Sequence, residues 1–330
     1  MNNRYTLAII ATLALTGCGT QVAPTGGAPQ SATTAAHGKS WMLPEAKGED
    51  LIYLSAAHGV YVYTYPKGKH VGTLTAPDYP AYECADASGD VFITSVAGAP
   101  SQQGVYEYAH GGSQPINFLP LAEASACSVD PITGNLAVIA TYGGKVYVYP
   151  DAQGTPTVYE NDIYLMTSPA YDSSGNLFVD GQYQEAGFAL EELPQGGSSF
   201  EDIKVQGSFD GDTDEPILWD GKYLGLGTEQ LEKNRRRTSQ LVVDLIQISA
   251  TGGSVVGEAP MAPQHKSVAQ WAIYNDIAID PTNGRSRESS YFSYFKYPGG
   301  RMLKKVKMPH VFDVAGTVLS IAPSGPRIHK

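Results

Sequence analysis

Short apolar runs separated by clusters of Gly, Pro, Asp, Asn and Ser follow one another from about residue 50 to residue 320. Within several runs apolar and polar positions alternate, as in Val60-Tyr-Val-Tyr63, Val105-Tyr-Glu-Tyr108 and Val146-Tyr-Val-Tyr149, and Tyr291-Phe-Ser-Tyr294 has the same aromatic spacing. A period of two belongs to a pleated strand with two distinct faces, so the pattern predicts many short strands and no long helices.

One phrase recurs and measures out the rest. Asp86-Ala-Ser-Gly-Asp-Val-Phe-Ile93, Asp130-Pro-Ile-Thr-Gly-Asn-Leu-Ala-Val138 and Asp172-Ser-Ser-Gly-Asn-Leu-Phe-Val179 each close one apolar run, turn on a Gly and open another. Their glycines, Gly89, Gly134 and Gly175, lie 45 and 41 residues apart. A period of that length with four strands per repeat predicts a β-propeller, in which each repeat is one blade.

The first full repeat reads Pro80 to Asp86, Asp90 to Ser95, Gly104 to Tyr108 and Pro115 to Pro120. Further repeats follow at 125–160, 165–205 and 216–259. A fifth takes Trp271 to Asp280 as its first strand and has no clear second strand around Arg285 to Ser290. Residues 51–75 then lack a first strand, and Phe312 to Ser320 supplies one. The expected fold is all-β, a six-bladed propeller over residues 41–330 closed by strands from both termini.

The N-terminus carries a different signal. Arg4, an apolar run from Tyr5 to Leu15 too short to span a bilayer, and Leu15-Thr16-Gly17-Cys18 together resemble a bacterial lipobox. That resemblance implies a lipoprotein signal peptide at 1–17, a lipid on Cys18, and a chain anchored to a bacterial membrane in the periplasm or at the cell surface. Residues 18–40, rich in Gly, Thr, Ala, Pro and Ser, have too few apolar anchors to fold and are expected to form a flexible tether.

Charge narrows the partners. A formal net charge of -11 leaves no basic footprint for nucleic acid. The seven His show no zinc spacing, and no Gly-x-Ser-x-Gly nucleophile motif occurs. No cofactor is implied.

The recurring Asp86, Asp130, Asp172, Asp220, Asp280 and Asp313 are read as turn residues, since Asp bonds its own backbone two residues on. In an up-and-down blade the turns after strands one and three share one face, and the connections after strands two and four share the other. The long segments, at 96–103, 180–187, 206–215, 228–240 and 260–270, all fall in the second set, so any ligand is expected there. Tyr79, Tyr82, Trp219 and Trp271 at first-strand entrances, with Tyr183 in a long loop, are candidates to stack a protein, peptide or glycan ligand, or else to pack between blades. Asp210, Asp212 and Asp214 form an acidic loop with calcium-like alternation but without the Gly and Glu an EF-hand needs, which leaves a divalent metal or a solvated loop. Cys84 and Cys127, one repeat apart on neighbouring first strands, are either a disulfide or two buried thiols.

The Asp-x-x-Gly-Asn-Leu-Phe-Val phrase, with Val-Tyr-x-Tyr and Gly-Gly, resembles the NHL-type and gluconolactonase-type six-bladed propellers over roughly residues 50–322. With the lipobox, the chain is similar to bacterial lipoproteins of that group. The resemblance implies a binding or scaffolding module acting through its long-loop face, or alternatively a metal-dependent lactonase-like hydrolase or lyase with its site at the central channel.

Overall fold

The computed structural model describes residues 39–184, 187–207, 216–231, 239–261, 270–283 and 289–323. Cys18, Asp210, Asp212, Asp214 and the basic run Lys233 to Arg237 lie outside them. Among the described residues no helix is long and apolar enough to cross a membrane.

The fold is all-β, and its strands form six sheets arranged as a six-bladed propeller. Blade 2 runs from the inside outward as Pro80–Ala85, Val91–Ser95, Gly104–Tyr108 and Asn117–Pro120. Blade 3 is Ala124–Val129, Leu136–Ala140, Lys145–Tyr149 and Thr157–Glu160. Blade 4 is Leu165–Tyr171, Leu177–Gln182, Phe188–Leu193 and Glu201–Asp202. In blade 1 the innermost strand is Gly316–Ser320, antiparallel to Leu51–Ala56, so the first sheet is completed by a strand from the far end of the chain.

Two sheets carry a fifth, outermost strand that the repeat does not foretell. Trp41–Met42 adds antiparallel to His70–Leu74 in blade 1. Val205–Gln206, between blades 4 and 5, adds parallel to Gly252–Pro260 of blade 5.

Blade 6 differs from the sequence expectation. Trp271 to Asp280 is not one strand but most of two, Ala272–Tyr274 and Ile277–Thr282, which turn at Asn275 with a left-handed φ of 54°. The second strand sought near Arg285 is therefore already present. Asp280 lies inside it, paired across to Ser293 and 3 % exposed, rather than in a turn. Asp313 likewise precedes the inner strand of blade 1 instead of following one.

The core is divided among six seams, one between each pair of neighbouring sheets. Leu51 and Tyr53 pack with Val91, Ile93 and Tyr108 of blade 2, whereas the intervening Ile52 and Leu54 pack with Ile279, Phe292 and Tyr294 of blade 6. The other four seams join blades 2 to 3, 3 to 4, 4 to 5 and 5 to 6 in the same way. Second strands are covered on both faces, which is why runs such as Leu136-Ala-Val-Ile-Ala140 are apolar at every position rather than alternating.

Four of the six Asp residues close turns as expected. The Asp172 carboxylate accepts the N–H groups of Ser174 and Asn176 at 2.8 and 2.9 Å. Asp86 does the same for Ser88 and Asp90, Asp130 for Ile132, and Asp220 for Lys222 and Tyr223. Gly175, at φ 81°, supplies the left-handed step that this turn requires.

Candidate functional site

The connections after second and fourth strands share one face, and two of them meet where blades 3 and 4 adjoin. Asn161 fixes the entry to blade 4: its N–H donates to Gly144 O at 2.9 Å and its side-chain oxygen accepts from Ile163 N at 3.0 Å. Tyr142 forms an isolated bridge to Leu165, and Tyr164 N donates to Gln182 O at 3.0 Å. These bonds hold two aromatic side chains out of the fold. Tyr142 is 56 % and Tyr164 51 % exposed, with ring centroids 5.9 Å apart. Neither was singled out from the sequence, because an exposed tyrosine in a connection has the same local signature as one that packs.

Beside this pair lies an acidic border. The Tyr183 hydroxyl donates to Asp202 Oδ1 at 2.9 Å, and Asp162 N donates to Glu191 Oε1 at 3.3 Å. Burial raises the Glu191 pKa, the Asp162 N–H opposes that rise, and the charges of Asp162 and Asp202 add to it. Burial and the bond to Asp202 likewise hold the Tyr183 phenol above its ordinary range. Among the described residues no group of three or more His, Cys, Asp or Glu is placed to hold a metal ion.

The aromatic candidates from the sequence are scattered. Tyr79, at the entrance to blade 2, is 60 % exposed with a left-handed φ of 54° and shares this face. Tyr82 is half-buried; its ring packs on the seam between blades 3 and 4, and its N–H donates to Thr94 Oγ1 at 3.0 Å. Trp219 stands at the exit of its strand, on the opposite face, where its indole donates to Ser173 Oγ at 2.8 Å. Trp271 is 1 % exposed, packs against Tyr297 and donates to Pro216 O at 3.3 Å, so it belongs to the core. Only Tyr79 and Tyr183 of the five join the face that carries Tyr142 and Tyr164.

Cys84 and Cys127 form a disulfide with Cα atoms 5.7 Å apart, which ties the inner strands of blades 2 and 3. Two carboxyls are fully buried in the fold. Asp180 Oδ1 accepts both the N–H and the hydroxyl of Ser168, at 2.9 and 3.0 Å, where the inner strand of blade 4 slips register. Burial pushes its pKa up to about 8. Glu83, fully buried between blades 1 and 2, is also pushed up to about 8 by burial, which the neighbouring Ser55 hydroxyl and N–H temper.

The arrangement defines the class: a six-bladed β-propeller with a rigid aromatic and acidic rim on its long-connection face. No family model matches the chain, and no curated protein matches it significantly. Solved structures of similar fold include TolB from Acinetobacter baumannii, 13 % identical with a TM-score of 0.59, the match covering 84 % of this chain and 68 % of that one. A chain of the nidogen/laminin complex is 10 % identical with a TM-score of 0.56, covering 83 % of this chain and 99 % of that one. Kuenenia stuttgartiensis hydrazine synthase is 11 % identical with a TM-score of 0.54, covering 84 % of this chain and 90 % of that one. At these identities the likeness is one of fold.

Proposed function

We propose that this protein is an exported, lipid-anchored propeller that acts as a binding or scaffolding module, taking a protein segment on the long-connection face. The observation that carries the reading is the Tyr142–Tyr164 pair, two half-exposed rings held by a hydrogen-bonded backbone beside Asp162 and Tyr183. Aromatic side chains fixed in place lose little entropy on binding, and such residues anchor protein interfaces. Export is supported by the lipobox resemblance and by the Cys84–Cys127 disulfide, a bond that persists in oxidising compartments. A protein of similar fold takes part in the nidogen/laminin complex.

A photo-crosslinking residue placed at Tyr142 or Tyr164 is expected to give defined adducts in cells, and one at Ile132, exposed on the opposite face, is expected to give none. Equal labelling from both faces, or none from either, would sink the reading. The anchor is tested separately by incorporation of an alkyne fatty acid, which Cys18→Ser should abolish.

A further inference from the structure

The outer edges of the blades are not alike. In blades 2, 3 and 4 the outermost strands have four, four and two residues, Asn117–Pro120, Thr157–Glu160 and Glu201–Asp202, and such short edges offer little backbone to another chain. Blade 1 ends on the added Trp41–Met42, and in blade 5 Val205–Gln206 pairs with two residues, Gly253 and Ser254, of a nine-residue outer strand. Blade 6 ends on Arg301–Pro309, also nine residues, and no further strand lies beyond it among the described residues. Arg301 to Lys305, Lys307 and Pro309 are all exposed, Met302 at 39 % and Leu303 at 43 %.

This open edge is strongly basic in an acidic chain. Arg301, Lys304, Lys305 and Lys307 fall within seven residues that hold no acid, whereas the chain as a whole carries -11. Lys304 is engaged, donating to Pro66 O at 2.9 Å and Lys67 O at 2.7 Å and so bracing the strand against blade 1. Lys305 lies 4.1 Å above the Tyr291 ring. The side chains of Arg301 and Lys307 have no hydrogen-bond or ion-pair partner among the described residues.

We propose that Arg301–Pro309 docks an extended acidic segment of another protein, which adds to blade 6 as a fifth strand. The blade accepts such an addition in principle, because blades 1 and 5 each carry one, antiparallel in the first and parallel in the second. Backbone groups of the edge would supply the hydrogen bonds, and the cations would select Asp or Glu opposite them. A second copy of this chain is a poor occupant, since pairing two such edges sets Lys and Arg against Lys and Arg. The surface is separate from the tyrosine rim and stands or falls without it.

The test uses the full chain and a synthetic nine-residue peptide of alternating Thr and Glu, with the same peptide carrying Lys for Glu and a third with every backbone amide N-methylated. Hydrogen exchange should show the Thr/Glu peptide protecting amides within 301–309, at least tenfold better than the Thr/Lys peptide, with the preference fading as salt rises. The N-methylated peptide should fail, because it cannot pair. Lys305→Glu with Lys307→Glu, checked for an unchanged melting temperature, should reverse the preference, and Tyr142→Ala with Tyr164→Ala should leave it unchanged. No protection by the Thr/Glu peptide, equal protection by the N-methylated one, or no reversal in the double variant would each overturn the proposal.

Discussion

Glu83 shows how far one side chain can be from the reading its residue type invites. It lies fully buried where three blades meet, its backbone N–H donating to Gln270 Oε1 at 2.9 Å and its carbonyl accepting from Gln270 Nε2 at 2.6 Å. A Cβ on Gly316 would stand 2.5 Å from Glu83 Oε2 and 2.7 Å from Ala81 O, so only glycine lets the closing strand approach. With its pKa pushed up to about 8, Glu83 keeps its proton in the fold at pH values where an unfolded glutamate, near 4.3, has lost it. The native state then binds more protons than the unfolded one, so this contribution to stability is complete below about pH 4 and is lost as pH rises through about 8. Urea unfolding of Glu83→Gln should therefore show a flatter decline between pH 5 and 8.5 than the parent; parallel profiles would refute the assignment. Asp172→Ala, which frees the N–H groups of Ser174 and Asn176, should cost about 1–2 kcal/mol in the same assay.

Among the elements, the Asp turns were legible and two of their apparent copies were not. Asp130-Pro-Ile-Thr-Gly134 and Asp280-Pro-Thr-Asn-Gly284 read almost alike, yet the first is a turn and the second begins within a strand. The difference lies in what surrounds them. Asp280 and its neighbours are covered by the seam to blade 5 on one side and blade 1 on the other, and that burial outweighs the local preference for a turn. Burial pushes the Asp280 pKa up to about 7, against the pull of Lys305. The Cys84–Cys127 bridge was open from sequence because spacing does not give the distance between inner strands, and the structure sets it at 5.7 Å between Cα atoms. Replacing both cysteines by serine should lower stability by about 4 kcal/mol, the chain-entropy value for a separation of 43 residues, read as a lower denaturant midpoint.

For the whole molecule, the closing strand ties chain ends together at several points. Thr317 Oγ1 donates to Tyr53 O at 3.0 Å, Ser320 Oγ to Gly89 O at 2.5 Å, and Ala322 N to Asp50 Oδ1 at 2.9 Å. Val311 and Val314 also fill the seam between blades 6 and 1. A chain ending at Pro309 loses an innermost strand rather than a tail, and opens both seams that border blade 1. Its melting transition should fall far more than that of a chain ending at Ser324; equal melting of the two would show that the inner strand is dispensable.

By itself the sequence determined the number of blades, the order of the four repeated strands in blades 1 to 5, and the turns at Asp86, Asp130, Asp172 and Asp220, because period, alternation and turn chemistry are local and repeat. Only the tertiary structure decided which side chains share a surface. Tyr142 and Tyr164 meet across two blades, Trp271 is drawn into a seam, Trp219 lands on the opposite face, and Arg301–Pro309 has no further strand beyond it among the described residues. Those outcomes depend on how sheets stack around an axis, and that stacking couples residues that no local pattern links.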